Sequence, residues 1–257
     1  MSAVTSAVTT WPESGQPRFG TWVQMGSTEI TAELIAAGYD YVGIDCQHSL
    51  ISLADAGLLL REFAGSATKA AVRVPSHAFA DIGQALDAGA DILIVPMVNT
   101  ADEAATIARA CRLPPDGDRS FGPIRRDLPR QARDINSRVT CLVMIETAEA
   151  VAHVEEILSI DGIDGIYVGP KDLSLSLGLS ETLVPPSTEL LSTVRGLARS
   201  ARGAGKIAGL HAGAGENAQH YLACGFTMLT LAADSTLIRA AAAADLAAAR
   251  SAQSALT

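Results

Sequence analysis

The stretch YVGIDCQHS, residues 41–49, runs from strand formers straight into Asp45, Gln47 and His48. Histidine is the side chain that ordinarily exchanges protons near neutrality, and a carboxylate beside it favours that use over simple solvation. Arg73 stands in AVRV, among small apolar residues, where a buried guanidinium must be paired. Its planar fork suits a substrate carboxylate or an oxyanion, and an internal ion pair with Asp45 or Asp87 accounts for it equally well. Glu146 closes CLVMIE, and Asp172 follows in the loop GPKDLS. Two carboxylates on adjacent strands leave most of an octahedral shell to water and substrate oxygens, as Mg²⁺ or Mn²⁺ sites do. The alternative is helix capping, because ETAEA and DLSLS can each open a helix. His211 ends IAGLH; it and His77, His153 and His220 have weaker claims.

These residues are scattered along the chain, so regular elements must collect them. Three segments share one plan: LIAAGYDYVGID, ALDAGADILIVP and YLACGFTMLTLA. In each, a helical stretch meets a glycine, which supplies the left-handed stop, and then a run of strand formers. Such runs, apolar with little alternation, read as parallel strands buried on both faces. Strands are expected at residues 19–23, 41–45, 71–74, 92–96, 141–146, 165–169, 207–211 and 228–232. Helices lie between them, as in ADEAATIARAC and TAEAVAHVEEIL. Eight such units make an α/β protein of the (β/α)8 barrel class. An open doubly wound sheet is the runner-up, but WVQMGSTE lacks the glycine-rich phosphate turn expected after its first strand. In a barrel, Asp45, Arg73, Glu146, Asp172 and His211 all fall at the C-terminal ends of strands, where chemistry is found. The strand starts read as largely featureless. Residues 1–17 read as a loose tail, and 18–257 as one barrel domain that includes the C-terminal helix. The Pro-rich segment 112–134 reads as a long loop. The Ala-rich LIRAAAAADLAAAR is a strong helix former with a thin apolar face, suited to packing on a neighbouring subunit or to closing the barrel.

Composition narrows the partners. The 257 residues are 48% hydrophobic and 18% charged, enough to bury a sizeable core. A net charge of −9 argues against nucleic acid or an anionic membrane surface. An anionic substrate therefore needs a local positive centre. Cys46, Cys111, Cys141 and Cys224 show no CxxC spacing and read as reduced thiols, with Cys46 a buried small hydrophobe rather than a nucleophile. No apolar run reaches membrane-spanning length, and the start has no signal-peptide pattern, so a cytoplasmic protein is expected.

The segments IDCQHSLIS, VRVPS, ALDAGADILIVPMVNTADEA, RLPPDGDRSFGP, MIETAEA and DGIDGIYVGPKDLSLSLG, in that order, resemble successive motifs of the HpcH/HpaI aldolases. These are the class II 2-oxo-acid (pyruvate) aldolases, 4-hydroxy-2-oxo-heptanedioate aldolase-like, and the resemblance runs from roughly residue 18 to 240. It implies a metal-dependent phosphoenolpyruvate/pyruvate-type barrel that assembles as trimers or hexamers and exchanges its C-terminal helices. It implies Glu146 and Asp172 as ligands of Mg²⁺, Mn²⁺ or Co²⁺, His48 as general base, and Arg73 as the group that stabilises the transition state. Asp87 is implied as the acid that raises the histidine's basicity, although the strand reading sets it near a helix C-terminus, away from the mouth. Gly169, Pro170 and Lys171, beside Asp172, are implied as substrate-binding positions through the backbone. The implied reaction is reversible cleavage of a 4-hydroxy-2-oxo acid to pyruvate, or a related 2-oxo acid, and an aldehyde through a metal-stabilised enolate. Two departures bear on the substrate: Met144 replaces a substrate-binding Gln, and Gln47 replaces the Glu of a GEH motif. Arg119, Arg125 and Arg126 are candidates for gripping a second carboxylate, or for a subunit contact. Three other readings remain: a Schiff-base aldolase, for which only Lys171 of Lys69, Lys171 and Lys206 is placed at the mouth, an acyl-CoA ester lyase on a related barrel, and a non-catalytic barrel that binds a 2-oxo acid.

Overall fold

Eight parallel strands close into a barrel in sequence order, with the last pairing back to the first. The computed structural model describes residues 16–180 and 182–254, so nearly all of the N-terminal tail lies outside the described residues. The strands are β1 (Arg18–Val23), β2 (Tyr41–Asp45), β3 (Lys69–Arg73), β4 (Ile92–Val95), β5 (Thr140–Ile145), β6 (Gly165–Val168), β7 (Ile207–His211) and β8 (Met228–Thr230). Between them run α1 (Thr28–Ala36), α2 (Leu53–Leu59), α3 (Phe79–Ala88), α4 (Ala101–Cys111), α5 (Ala132–Arg138), α6 (Ala148–Ala152), α7 (Val154–Leu158), α8 (Pro170–Ser176), α9 (Thr188–Gly203) and α10 (Ala218–Cys224). The chain ends in α11 (Asp234–Ser254). Closure of the sheet excludes the open doubly wound alternative.

The three repeated stops work as expected. Gly38, Gly89 and Gly225 have φ of 89°, 111° and 100°, the left-handed conformation that ends a helix and turns the chain into the next strand. Strand residues then alternate between two apolar layers. One face packs under the helices, for example Val42, Ile44, Leu93 and Val143. The other fills the barrel with Trp22, Tyr41, Ile94, Leu142, Met144, Tyr167 and Met228. Large and small residues interlock there: Trp22 lies opposite Gly43, where an added Cβ would fall 2.6 Å from the indole ring. Tyr41 and Tyr167 both reach the Thr230 hydroxyl, at 2.7 and 2.5 Å, so the buried phenols are satisfied. The barrel therefore has a packed floor beneath its mouth.

The strand starts are not featureless. Asp40, Asp91 and Asp164 each precede an even-numbered strand, and each accepts the backbone N–H of the adjacent odd strand, from Phe19, Ala70 and Cys141. Each also pairs with an arginine: Arg18, Arg138 and Arg112 respectively. This recurring clamp ties neighbouring strands together at the end opposite the mouth. The segment TAEAVAHVEEIL forms two short helices rather than one, broken at His153, whose φ and ψ of −103° and 9° leave the helical region. Only Asp234 is buried in α11.

Candidate active site

The inward positions of the upper barrel carry the polar chemistry. Asp45 is wholly buried at the end of β2, directly beside Arg73 in the register of β3. Arg73 Nε donates to Asp45 Oδ1 at 2.9 Å, and Nη2 donates to Oδ2 at 2.6 Å. The internal ion pair weighed for Arg73 is therefore formed, with Asp45 and not with Asp87. The guanidinium also lies over the Trp22 ring, 5.1 Å from its centre. Asp45 further accepts the N–H groups of Gln47 and His48 at 3.1 Å each, and the Gln24 side-chain amide at 3.1 Å. Burial pushes its pKa up, but the Arg73 hydrogen bonds and charge, with the His48 N–H and the Gln24 amide, outweigh this and hold the carboxyl below its ordinary range. Asp45 thus meets His48 through the backbone. The exposed His48 side chain stands on the loop at the rim.

Glu146, 3% exposed, follows β5 directly. Its Oε1 accepts the Met97 N–H at 2.8 Å, and Met97 holds a φ of 55°, unusual for a side-chain-bearing residue. Its Oε2 lies by Gly169, where a Cβ would fall 2.8 Å away. Burial raises the Glu146 pKa; the Met97 N–H opposes this, the Asp172 charge adds to it, and Arg73 opposes it more weakly. Asp172 is exposed in the first turn of α8, not in the loop the sequence suggested. The capping alternative fails for both acids. Thr147 caps α6 by accepting the Ala150 N–H, and α8 has no side-chain cap. Among the described residues no group of three or more His, Cys, Asp or Glu converges on one point, so what the protein offers is an open pair of carboxylates. A hard divalent cation fits that donor set: bound there, it would relieve a buried, singly bonded carboxylate of its neighbour's repulsion, and two protein ligands would leave room for substrate oxygens.

Gly169 is the N-cap of α8, Pro170 its first residue and Lys171 an exposed residue of its first turn, so all three border Asp172. His211 points inward from β7, with Nδ1 enclosed and without a hydrogen-bond partner. Burial, then the Arg73 charge, pulls its pKa down to about 4, so it is a neutral imidazole at pH 7. His211 ends β7, where the sequence reading placed it. Cys46 is buried and its thiol is pushed up to about 12, chiefly by burial and then by Asp45, as befits a packing residue.

Other candidates lie elsewhere. Asp87 sits in the last turn of α3, which returns the chain to the start of β4, at the end away from the mouth. It accepts from Arg119 at 2.7 Å and is not brought to His48 within the chain. Arg125 donates to the Leu60 carbonyl and pairs with Asp127, so the arginine loop after α4 also packs at the strand-start end. Arg119 and Arg125 therefore cannot grip a substrate at their own chain's mouth. Lys69 begins β3, and Lys206, which donates to the Ile160 carbonyl at 2.8 Å, precedes β7; both are far from the mouth. Of the three lysines considered for a Schiff base, only Lys171 is at the rim.

A family model described as HpcH/HpaI aldolase/citrate lyase matches residues 18–241. The chain belongs to that family. It is 39% identical to a hydroxypyruvate/pyruvate aldolase of Rhizorhabdus wittichii, over 91% of this chain and 94% of the relative. It is 37% identical to a 4-hydroxy-2-oxovalerate aldolase of Rhodococcus jostii, covering 87% of this chain and 88% of that one. A crystal structure of an HpcH/HpaI aldolase/citrate lyase family protein from Burkholderia cenocepacia superposes with a TM-score of 0.85 at 30% identity, covering 93% and 96% of the two chains. No helix among the described residues is long and apolar enough to cross a membrane.

Proposed function

We propose that this HpcH/HpaI family member is a metal-dependent class II aldolase, a carbon–carbon lyase that cleaves a 4-hydroxy-2-oxo acid reversibly to pyruvate, or a close relative, and an aldehyde. One observation carries the reading: a buried, under-bonded carboxylate, Glu146, lies near enough to a second carboxylate, Asp172, for that charge to raise its pKa, at a mouth that also holds the clamped cation Arg73. The names of the curated relatives agree with it. A divalent cation held by Glu146 and Asp172 (Mg²⁺, Mn²⁺ or Co²⁺) would act as a Lewis acid on the carboxylate and keto oxygens of the 2-oxo acid.

The chain's own residues do the rest. The backbone at Gly169, Pro170 and Lys171 borders the acid end of the substrate. Arg73, fixed by Asp45 and Trp22, turns its positive charge toward the keto oxygen, on which negative charge grows as the C3–C4 bond breaks. His48, on the loop that Asp45 holds through two N–H groups, takes the 4-hydroxyl proton and returns it in condensation, a role typically worth about 10²–10⁴-fold. Asp45 acts here as the orienter of Arg73. Asp87 anchors the Arg119 loop and has no part in its own chain's mouth. The exposure of α11 beyond Asp234 suits exchange between subunits of a trimer or hexamer.

Exchange of the pyruvate methyl protons in D₂O tests the reading. Exchange is expected with added Mg²⁺, Mn²⁺ or Co²⁺ and not in chelator. Exchange that persists unchanged in metal-stripped protein, or none under any condition, ends it.

A further inference from the structure

Beyond its first residue, α11 has no buried residue, so its hold on the barrel is concentrated at the junction with β8. Asp234 there is 1% exposed. Its carboxylate accepts the N–H of the adjacent Ser235 at 2.7 Å, a contact within the first turn of α11. It also accepts from the far end of the chain: the Gln24 N–H lies 3.1 Å from each oxygen, and the Met25 N–H lies 3.0 Å from Oδ2. Ser235 Oγ reaches Gln24 Oε1 at 3.4 Å. The Gln24 side-chain amide in turn donates to Asp45 Oδ2, the oxygen that receives Arg73 Nη2. A continuous line of hydrogen bonds thus runs from the start of α11 through Gln24 and Asp45 to the arginine of the mouth.

We propose that Asp234 is a positioning residue: by fixing the end of β1 it sets the Gln24 amide, and through Asp45 the direction in which Arg73 faces the mouth. The catalytic half of this statement rests on the aldolase reading; the geometric half does not. Without the Asp234 carboxylate, the N–H groups of the half-buried Gln24 and the exposed Met25 lose the acceptor that fixes the strand end, which is then free to shift. Gln24 then leaves Asp45, which keeps Arg73 and the two loop N–H groups on Oδ1 but loses the side-chain donor on Oδ2, the oxygen that receives Arg73 Nη2. A misplacement on the order of 1 Å at a reacting group can cost about a hundredfold in rate. The seating of α11 therefore sets turnover from outside the mouth.

The structure supplies its own reporter, because Arg73 lies over Trp22. In a Trp11→Phe background Trp22 is the one tryptophan of the chain. Asp234→Ala and Gln24→Leu are each expected to shift Trp22 emission in the same direction as Arg73→Met. Asp234→Ala added to Arg73→Met is expected to give no further shift. With 4-hydroxy-2-oxopentanoate as probe, each single variant is expected to lower kcat about ten- to a hundredfold with KM changed less than about threefold. The Asp234→Ala/Gln24→Leu double variant should be no worse than the worse of its two singles, and Asp234→Asn, which keeps an acceptor oxygen, should recover to within about threefold. Additive losses, or an unchanged Trp22 emission in folded Asp234→Ala, overturn the proposal. If Asp234→Ala does not fold, Gln24→Leu decides: unchanged emission and kcat refute the coupling. A wild-type protein without pyruvate exchange or turnover would refute the aldolase reading instead, while the emission arms still decide the coupling.

Discussion

Replacing Glu146 with glutamine should move stability and activity in opposite directions. The amide keeps the oxygen that accepts the Met97 N–H and removes the charge that burial and Asp172 disfavour. An imperfectly satisfied buried group costs on the order of 1–3 kcal/mol, more when charged. Solvent at the mouth and the opposing Arg73 charge discount this, which leaves a gain of about 1 kcal/mol, or about 2–4 °C in Tm for a domain of this size. The sign follows from linkage. A carboxyl whose folded pKa is raised costs stability once it ionises, so the wild type should lose ground as pH rises from about 4.3 through the higher folded value, and the glutamine variant should not. Thermal melts in chelator at pH 4 and pH 7.5 measure this directly. Added Mg²⁺ or Mn²⁺ should then reverse the order, because a cation at a hundred times its Kd stabilises by about 2.7 kcal/mol only the protein that binds it. The reasoning is refuted if the variant melts below the wild type in chelator at pH 7.5, or gains as much from the metal.

Asp45→Asn should do the opposite and destabilise at neutral pH by about 3 kcal/mol, or about 6–12 °C, because it leaves Arg73 largely buried beside a neutral partner. Since the folded Asp45 carboxyl is held below its usual range, that contribution is present above about pH 4 and is lost as pH falls through the folded value, so melts of the two proteins should converge in acid. Gly169→Ala should cost at least about tenfold in kcat/KM, since its Cβ would meet Glu146 Oε2 at 2.8 Å and the Met144 methyl at 3.2 Å, while a φ of −95° leaves the backbone unstrained. Cys46 should resist iodoacetamide at pH 8 in the native protein and react once unfolded, as read by mass spectrometry of the labelled peptide.

What was legible in the sequence depended on whether the signal was local. The strands YVGID and IAGLH and the helix ADEAATIARAC have the expected bounds, because a glycine stop or a capping Thr punctuates a run of one periodicity. The break at His153 carries no Gly or Pro, and the helical period of residues 147–158 continues across it. The place of Asp87 near a helix end was legible, but its partner Arg119 was not, since the loop that carries it returns across 32 positions. For Arg73, composition demanded a counter-ion and left Asp45 and Asp87 open; the β2–β3 register decides between them. The aspartates before β2, β4 and β6 were overlooked because each has an unremarkable neighbourhood, and their function shows only across strands.

Those overlooked aspartates sharpen the case for the site. The barrel has acids at both ends, so an acid at a strand end is not in itself a functional signal; what differs is how fully it is bonded. Asp40, Asp91 and Asp164 each hold an arginine and a backbone N–H, and such acids are structural anchors with nothing left to bind. Glu146 is more deeply buried than any of them and yet has one N–H donor and a second carboxylate for company. Burial without satisfaction is tolerated where a ligand completes the bonding. Asp45 is the instructive intermediate. It stands at the functional end, but it is bonded like an anchor, to Arg73, Gln24 and the N–H groups of residues 47 and 48. A carboxylate so committed has little capacity left to take a proton from His48. Its geometry makes it the base of Arg73, and the mouth divides its labour accordingly: Asp45 spends its bonds holding a charge still, while Glu146 and Asp172 keep theirs open.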